Sequence, residues 1–427
     1  MLLMLAFSLG TTGAILMGHL FRHLLWYIAV FGSFTSTIFL AMAVAAALRY
    51  FLRSRRRRVA ADAVAAERLP AVTILKPVHG MEPRLEETLE SFFRQDYPEF
   101  EIIFGARSHD DGALPVVEKL RARYPQVRTS VVISGEPSWP NAKVFSLAKM
   151  MAFSDNSFFV ISDSDILAGP GFLRNVVSPL LHPGVGLVTC LYRGVPANNL
   201  WSHLHALGMS VEMPAGVLVA DMMEGMKFAL GAAMAVRRDA IEAIGGMRET
   251  APFCADDFVL GNLIAAAGYE VVLSHYLVGH VLAGRSLRRT FGDQLRWMKS
   301  TRFSRPWGHI GSGLTYAVPF ALLALLLGLT GKHHGRVSAE LLGIAWLNRM
   351  LLSAVIGWGI VGDRRCLRFC WLYPLRDLLG FCTWAISFTG NKFFWRGEPY
   401  ELYEEGRMMP VERSIEFVRD RVPQAHD

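Results

Sequence analysis

The feature that most constrains this sequence is a stretch without a single charged side chain over residues 24–48. An α-helix rises about 1.5 Å per residue, so a helix over this stretch can cross a hydrocarbon core of about 30 Å. Six arginines follow directly, between positions 49 and 58, and basic residues collect on the cytoplasmic side of a membrane. We therefore predict a transmembrane helix over residues 24–50, with the chain from residue 60 onward in the cytoplasm.

The segment before this helix is less defined. Residues 1–23 are apolar as well, but they end in Arg22 and His23. Both a second span and an interfacial helix are compatible with this pattern, and the two alternatives stay open.

Composition agrees with a membrane location. The chain has 427 residues, of which 52% are hydrophobic and only 19% charged, and its net charge is +7. Such a composition excludes a disordered protein and argues against a simple soluble one. Because the arginines cluster at a predicted membrane edge, we expect no nucleic-acid partner. The expectation is an integral protein of a bacterial inner membrane whose large polar region faces the cytoplasm.

Hydrophobic segments return after residue 300. Residues 313–362 are predicted to form a transmembrane hairpin, whereas residues 368–390 carry Arg376 and Asp377 in mid-segment. A charged pair is costly at bilayer depth, so we predict a re-entrant or interfacial element there. Residues 391–427 are predicted to be a cytosolic tail, which either lies in solvent or folds back on the catalytic region.

Between these segments, residues 69–300 alternate short apolar runs with amphipathic stretches, as is typical of an α/β domain. A strand-helix-strand order favours a mostly parallel sheet, and such sheets bind ligands beyond the carboxyl ends of their strands. The predicted strands are residues 71–75, 100–104, 129–133 and 158–161, and predicted helices include residues 85–93 and 115–123.

Acidic motifs follow two of these strands. Asp110 and Asp111 lie in a His-Asp-Asp-Gly turn, which by itself is compatible with a simple loop. Asp163 and Asp165 follow a wholly apolar strand. Two carboxylates at such a strand end can converge on one hard divalent cation, which also binds a diphosphate.

Further along the chain, Asp256 and Asp257 precede a helical pattern. Asp256 is expected to cap that helix, and Asp257 to act as a general base whose pKa is raised by adjacent negative charge. Arg296 and Trp297 are expected to clamp phosphate oxygens and to wall the acceptor site, although a membrane-interface anchor is an alternative. Further donors at the same sheet edge are Lys76 with Pro77, and Asn141 with Lys143.

Three polar residues lie between the second and third acidic motifs. His203 and His205 are two positions apart and so do not share a helix face. Together with Glu212, they are expected to be ordinary polar residues of a pocket or of the surface rather than metal ligands. Whether one of them contacts the acceptor stays open.

The order Asp111, Asp163-x-Asp165, Asp257 and Arg296-Trp297 resembles the D, D, D, (Q/R)xxRW signature of membrane-bound family 2-like glycosyltransferases. More narrowly, the chain is similar to ceramide glucosyltransferases of family 21 over about residues 69–300. The stretch at residues 183–194 is also similar to bacterial hopanoid-linked glycosyltransferases. The motifs that resemble those of ceramide glucosyltransferases are ILKPVHG at 74–80, FFRQDYPEFE at 92–101, SHDDGA at 108–113 and NAKV at 141–144.

This resemblance implies a GT-A (Rossmann-like) cytosolic domain that catalyses inverting transfer from a UDP-sugar to a membrane lipid. It implies that Asp111 binds the nucleotide, and that Asp163 and Asp165 hold Mg²⁺ or Mn²⁺ with the diphosphate. It further implies that Asp257 is the base and that Arg296 and Trp297 complete the site. The Q/R position holds Asp293, with Gln294 one place later, so both stay candidates for the donor contact.

We therefore expect a metal-dependent glycosyltransferase that moves glucose to ceramide. Hopanoid, diacylglycerol and polyprenol-phosphate acceptors are alternatives. A processive polysaccharide synthase would need a translocation channel, for which the hydrophobic segments are too few. A membrane scaffold that only binds nucleotide sugars is the non-enzymatic alternative, and it would have no use for the third acidic motif.

Overall fold

The computed structural model describes residues 2–284, 287–330, 335–395 and 397–411. Its first element, α1, is one continuous helix, Leu2–Asp62, about 90 Å long. The helix passes through Arg22 without a break, and the Arg22 guanidinium donates to the carbonyl oxygens of Leu327 and Thr330 at 2.6 and 3.1 Å. The predicted span at residues 24–50 therefore lies inside a longer helix.

An eight-stranded sheet forms the centre of the domain that follows. Its order is β3-β2-β1-β4-β7-β6-β8-β5. Strands β1 to β4 and the β6–β8 pair are parallel, whereas β7 runs antiparallel to both of its neighbours and β5 runs antiparallel to β8. All four predicted strands are confirmed within two residues. The strands are β1 (Val72–Pro77), β2 (Phe100–Ala106), β3 (Arg128–Ile133), β4 (Phe158–Ser162), β5 (Ile166–Leu167), β6 (Val185–Val195), β7 (Ala233–Arg237) and β8 (Glu270–Val281).

Helices cover both faces of this sheet, and each face has its own apolar core. The predicted α/β class with a mostly parallel GT-A sheet and flanking N- and C-terminal helices is confirmed. The helices of this region are α2 (Leu85–Phe93), α3 (Leu114–Arg123), α4 (Ala142–Ala152), α5 (Phe172–Val177), α6 (Leu200–Glu224), α7 (Arg238–Ala243), α8 (Asp256–Ala266) and α9 (Leu287–Ser304).

A second helical group follows, in which the helices Val318–Leu329 and Gly335–Leu352 pack against each other and against α1. They occupy the predicted hairpin at residues 313–362, whose connecting residues 331–334 lie outside the described chain. Membrane insertion of this hairpin and of the 368–390 segment stays a prediction. The helices are α10 (Pro306–Ser312), α11 (Val318–Leu329), α12 (Gly335–Leu352) with a π-helical continuation (Ser353–Ile360), α13 (Arg364–Arg368) and α14 (Tyr373–Ser387).

Three described helices are long and apolar enough to cross a membrane, namely Met17–Asp62, Leu200–Glu224 and Gly335–Ile360. A bent pair, Pro306–Thr315 with Val318–Leu329, would make a fourth if it acts as one span. The sequence had indicated the first and last of the three, but α6 was assigned wholly to the cytosolic domain.

The part of the predicted tail that the structure describes folds back on the domain. Strands β9 (Lys392–Trp395), β10 (Glu398–Leu402) and β11 (Met408–Pro410) form a small antiparallel sheet. The Met408 amide donates to the Pro252 carbonyl at 2.8 Å, and the Cys254 amide donates to the Gly406 carbonyl at 3.0 Å. This sheet therefore lies on the loop that leads into α8; Arg396 and residues 412–427 lie outside the described chain.

Candidate active site

The acidic pair of the second motif lies in the turn between β4 and β5, at the carboxyl end of β4. The Asp163 carboxylate contacts Lys143 Nζ at 2.7 Å, and the Asp165 carboxylate contacts His280 Nε2 at 3.1 Å. Asp163 and Asp165 stay about one-third exposed. Asp163 thus lies beside a lysine ammonium group, and Asp165 lies beside an imidazole that becomes a cation when it is protonated.

These contacts shift the pKa values of Lys143, Asp165 and His280. Burial alone would lower the pKa of Lys143, but Asp163 and Asp256 outweigh it and raise the pKa. Burial disfavours the charged forms of both Asp165 and His280. Their mutual attraction outweighs this effect, so it lowers the pKa of Asp165 and raises that of His280. Lys143 therefore carries a fixed positive charge beneath the acidic turn.

Lys76, at the end of β1, supports the same turn from below. Its side chain is fully buried, donates to the Asp163 carbonyl oxygen and lies 3.8 Å from the centre of the Phe92 ring. Burial lowers the pKa of Lys76 to about 7, although Asp163 and Asp165 oppose the shift. Lys76 contacts the backbone of the acidic turn, and Pro77 closes the buried strand beside it. Their direct contact with a donor stays a prediction.

Asp111 joins the loops that follow β1 and β2. Its Oδ1 accepts hydrogen bonds from the backbone nitrogens of Gly80 at 2.8 Å and Ala113 at 2.9 Å. The β1 loop reaches the acidic turn as well, because Ser164 Oγ donates to Glu82. Asp110 is exposed. Asp111 therefore fixes the shape of the sheet edge on which a nucleotide would bind.

Asn141 and Asp256 connect two helix starts. The Asn141 side-chain oxygen caps α4 by accepting from the Lys143 and Val144 amides, at 3.0 and 3.2 Å. Its Nδ2 donates to Phe253 O at 3.0 Å and to Asp256 Oδ1 at 3.4 Å. Asn141 is fully buried and positions the loop before α8, and its direct contact with a donor stays a prediction.

Asp257, in the first turn of α8, is partly buried. Its Oδ2 accepts a hydrogen bond from the Gly231 amide, at the entrance of β7. A Cβ at position 231 would lie 2.8 Å from that oxygen, so the approach requires glycine. Burial raises the pKa of Asp257 while Lys143 opposes the rise, and burial raises the pKa of Asp256 to about 6.

The Arg-Trp motif lies on α9. Trp297 packs 5.7 Å from the His205 ring and 6.3 Å from the His280 ring, measured between ring centres. The Arg296 guanidinium lies 6.0 Å from the Trp395 ring centre, so the tail sheet walls this end of the site. Gln294 instead lines a small cavity that includes Arg376 of α14.

The predicted cation ligands fit a divalent metal that shares its coordination with a diphosphate. Asp165 Oδ1 is buried and has no hydrogen-bond partner in the described chain. Within the described ranges, no group of three or more His, Cys, Asp or Glu residues is close enough to hold a metal. One or two carboxylates plus substrate phosphates are the usual ligand set of Mg²⁺, and Asp163 with Asp165 can supply that protein share.

Two residues of this region were not predicted to act in the acidic site. His280 lies on β8, a strand that was not predicted from the sequence. The local feature that could have pointed to His280 is its position as a histidine inside an apolar run. His205 was expected to be pocket or surface polarity, and it is a buried residue of α6 beside Trp297. Their proximity depends on sheet order, which spacing along the chain does not reveal.

Comparison with known proteins adds a family and several relatives. The sequence profile of glycosyl transferase family 21 matches residues 35–408. Ceramide glucosyltransferase 1 of Caenorhabditis elegans is 25% identical over 232 residues, which cover 54% of this chain and 50% of that protein. Ceramide glucosyltransferase of Komagataella phaffii is 38% identical over 113 residues, which cover 26% of this chain and 22% of that protein.

The chain thus spans about half the length of the first relative and about a fifth of the second. Among solved structures, a mannosyltransferase from Pyrobaculum calidifontis in complex with GDP-Man and Mn²⁺ is similar, with a TM-score of 0.46 and 18% identity. That similarity covers 84% of this chain and 99% of the mannosyltransferase chain.

Proposed function

The chain belongs to glycosyl transferase family 21, and from this premise we propose that it transfers glucose from UDP-glucose to the primary hydroxyl of ceramide. Support comes from the two relatives named as ceramide glucosyltransferases. It also comes from the candidate membrane helices, since a lipid acceptor stays in a leaflet while its sugar donor is water-borne. A further proposal is that the catalytic domain faces the cytoplasm of a bacterial inner membrane, which rests on the arginine cluster near the C-terminal end of α1.

The observation that carries this proposal is the charge arrangement around Lys143. Lys143 contacts Asp163 on one side, and its charge acts on the α8 carboxylates on the other. A diphosphate bound at the acidic turn would therefore lie within the same electrostatic site as a candidate base. Leaving group and attacking hydroxyl need that proximity in a single displacement.

The proposed step is an in-line displacement at the anomeric carbon. Asp257 accepts the proton of the lipid hydroxyl, the hydroxyl oxygen forms a bond to the anomeric carbon, and the bond to the diphosphate oxygen breaks. UDP leaves with the electron pair, and the anomeric configuration inverts. Lys143 and Arg296 supply fixed positive charge for the leaving diphosphate. Asp163 and Asp165 would hold Mg²⁺ or Mn²⁺, which when bound supplies additional positive charge there.

A panel reaction tests the proposal directly. Purified full-length protein in lipid nanodiscs is incubated with UDP-glucose, UDP-galactose and UDP-N-acetylglucosamine, each against ceramide, diacylglycerol, a hopanoid and a polyprenyl phosphate. Mass spectrometry reads the product, with Mg²⁺, Mn²⁺ or a chelator present. Hexosyl-ceramide formed from UDP-glucose is the expected result. UDP binding without any glycolipid product would support a scaffold and contradict the proposal.

We predict that Asp257→Asn lowers turnover by about 10²- to 10⁴-fold, because the lipid hydroxyl loses its proton acceptor. The Asn side chain keeps an oxygen that can accept from the Gly231 amide, so UDP affinity measured by calorimetry is expected to stay unchanged. Asp239→Asn is the control, since Asp239 is half-exposed and pairs with Arg237 at the start of α7. Full turnover by Asp257→Asn would remove Asp257 from the base role.

A further inference from the structure

Polar side chains lie buried between the packed helices α6 and α14, next to the Arg-Trp motif, and with the small cavity that His205 and Arg376 line they form a polar groove. Glu212 of α6 contacts Arg376 of α14 at 2.9 Å between Oε2 and Nη2. The Arg376 side chain is 5% exposed and that of Glu212 is 23% exposed. This ion pair links two helices that are 164 residues apart in sequence.

The pair leaves much of its hydrogen-bonding capacity unused. Glu212 Oε1 and Arg376 Nε and Nη1 are buried without a hydrogen-bond partner anywhere in the described chain. The same holds for the Tyr373 hydroxyl and His205 Nε2. Buried polar atoms are nearly always satisfied, so this concentration of donors and acceptors calls for a polar ligand.

Two glycines shape the groove around these atoms. A Cβ at Gly208 of α6 would lie 2.2 Å from Arg376 Nε. A Cβ at Gly380 of α14 would lie 3.4 Å from both Arg376 Nη1 and Glu212 Oε1. Both unpartnered atoms therefore lie beside Gly380, as does the Tyr316 ring, whose Cε1 would be 2.9 Å from the same Cβ.

A neighbouring ion pair provides a contrast. Arg349 Nη1 contacts Asp377 Oδ1 at 3.1 Å, and Asp377 Oδ2 accepts from the Ala317 and Val318 amides, each at 2.9 Å. Asp377 is thus fully used in joining α11, α12 and α14. The two pairs together contain two positive and two negative groups, so the groove favours an uncharged ligand over a phosphate.

The groove is connected to the candidate active site. His205 and Arg376 line a cavity together with Gln294 and Thr383. The His205 ring is 5.7 Å from Trp297, which in turn lies 6.3 Å from His280, the partner of Asp165. A series of neighbouring polar and aromatic side chains therefore connects the groove with the acidic turn.

We propose that this groove binds the neutral, hydroxyl- and amide-bearing head of the lipid acceptor, an inference that rests on the proposed function. Glu212 accepts hydrogen bonds from its hydroxyl or amide groups, and Arg376 donates to its carbonyl or hydroxyl oxygens. Tyr373 and His205 provide further polar contacts along the same side. The groove sets acceptor specificity and orients the lipid, whereas the chemistry takes place beyond Trp297.

Steady-state kinetics with a short-chain N-acylsphingosine as acceptor test this role. Glu212→Gln and Arg376→Gln are expected to raise the acceptor KM by about tenfold or more, while the UDP-glucose KM stays within about twofold. Gly380→Ala keeps every charge but narrows the groove, and it is expected to have the same effect. Gly343→Ala is the matched control, because a Cβ on that α12 glycine meets no atom within 4 Å. Folded groove variants with an unchanged acceptor KM would overturn the proposal.

A second measurement needs no variant. An N-acylsphingosine with a photoreactive diazirine beside its amide is cross-linked to the wild-type protein, and the labelled peptides are identified by mass spectrometry. Labels on α6 and α14 that unlabelled N-acylsphingosine displaces are expected; labels confined to other segments would contradict the groove. Stronger displacement by N-acylsphingosine 1-phosphate would overturn the preference for a neutral head. If the wild type transfers sugar to no lipid, the proposed function fails, and the cross-link still decides the groove on its own.

Discussion

Within the first turn of α8, two adjacent carboxylates have different surroundings. Asp256 is buried, and its Oδ1 accepts from the capping residue Asn141. Asp257 is partly open and accepts only backbone hydrogen bonds, from Gly231 and Phe258. Asp256 is therefore suited to fix the turn, and Asp257 to meet a substrate proton. Burial raises the pKa of both.

These shifts predict a loss of activity in mildly acidic solution. A base must be deprotonated to act, so kcat/KM falls as the pH drops through its raised pKa, by about tenfold per pH unit. We expect this decline to begin above the ordinary Asp pKa of about 3.9. Initial rates over the range of about pH 4.5 to 8, at saturating UDP-glucose, provide the measurement.

The Asp256→Asn variant assigns the decline. The pKa of Asp256 is about 6, so its removal tests whether this residue alone causes the loss of rate. A decline that persists in the variant belongs to Asp257. Rates that stay constant down to about pH 4.5 in the wild type would contradict a base with a raised pKa.

Two lysines show how far residue-level prediction reaches. Lys76 and Lys143 were both expected at the donor edge of the sheet, and both lie there. The opposite directions of their pKa shifts were not predictable, since Lys143 contacts a carboxylate whereas the buried Lys76 contacts a backbone carbonyl. Which atom a side chain reaches depends on the packing of neighbouring strands, and single-sequence patterns contain no such information.

Among the elements, those with a strong local signal were predicted well. The predicted strands β1 to β4 are rich in apolar and β-branched residues, and α2 begins and ends at the predicted residues. Strands β6 to β8 were not predicted: β6 and β8 include polar residues such as Thr189 and His280, and β7 is only five residues long. The α6–α14 pairing depends on contacts between distant segments, for which the sequence gives no periodic signal.

The tail sheet is the element with the least predictable position, and it makes a testable contribution. Leu402 is fully buried in its small core with Phe393, Tyr400 and Met408. Leu402→Ala is expected to destabilise this unit by about 2–5 kcal/mol, because it leaves a cavity. Since β11 bonds to the loop before α8, hydrogen exchange is expected to rise at residues 250–257 as well as in the tail. Mass-spectrometric hydrogen exchange measures both regions.

Phe394 provides the control on the same sheet. Its side chain is 74% exposed, so Phe394→Ala removes little buried area and is expected to leave exchange at residues 250–257 unchanged. Equal exchange in the Leu402→Ala variant and the wild type would show that the tail sheet does not stabilise the α8 loop.

For the whole molecule, α1 connects the sheet domain to the apolar helices. Near its C-terminal half, Arg49 donates to the Met222 carbonyl at 2.7 Å, and the Tyr50 hydroxyl donates to the Ser274 carbonyl at 2.8 Å. Near its N-terminal half, Arg22 donates to carbonyls at the end of α11. Arg49, Tyr50 and Arg22 therefore hold α6, β8 and α11, respectively, against one helix.

The Arg349–Asp377 pair is expected to be the polar contact on which the helical group most depends. Both side chains are at most 3% exposed, and the loss of one partner leaves a buried charge uncompensated. Asp377→Asn is expected to lower the unfolding free energy by about 3–5 kcal/mol. Denaturant titration of the purified protein in detergent micelles, followed by tryptophan fluorescence, measures this change.

An exposed pair on the same helix supplies the comparison. Arg336 and Glu340 of α12 contact each other at 3.0 Å with side chains 92% and 56% exposed. Glu340→Gln is expected to change the unfolding free energy by less than about 1 kcal/mol, because water already screens that pair. Similar losses in the two variants would mean that burial adds nothing to the Arg349–Asp377 contact. A large loss of unfolding free energy in Asp377→Asn alone would show that the helical group depends on the Arg349–Asp377 pair. That pair has its hydrogen bonds satisfied, unlike the neighbouring Glu212–Arg376 pair.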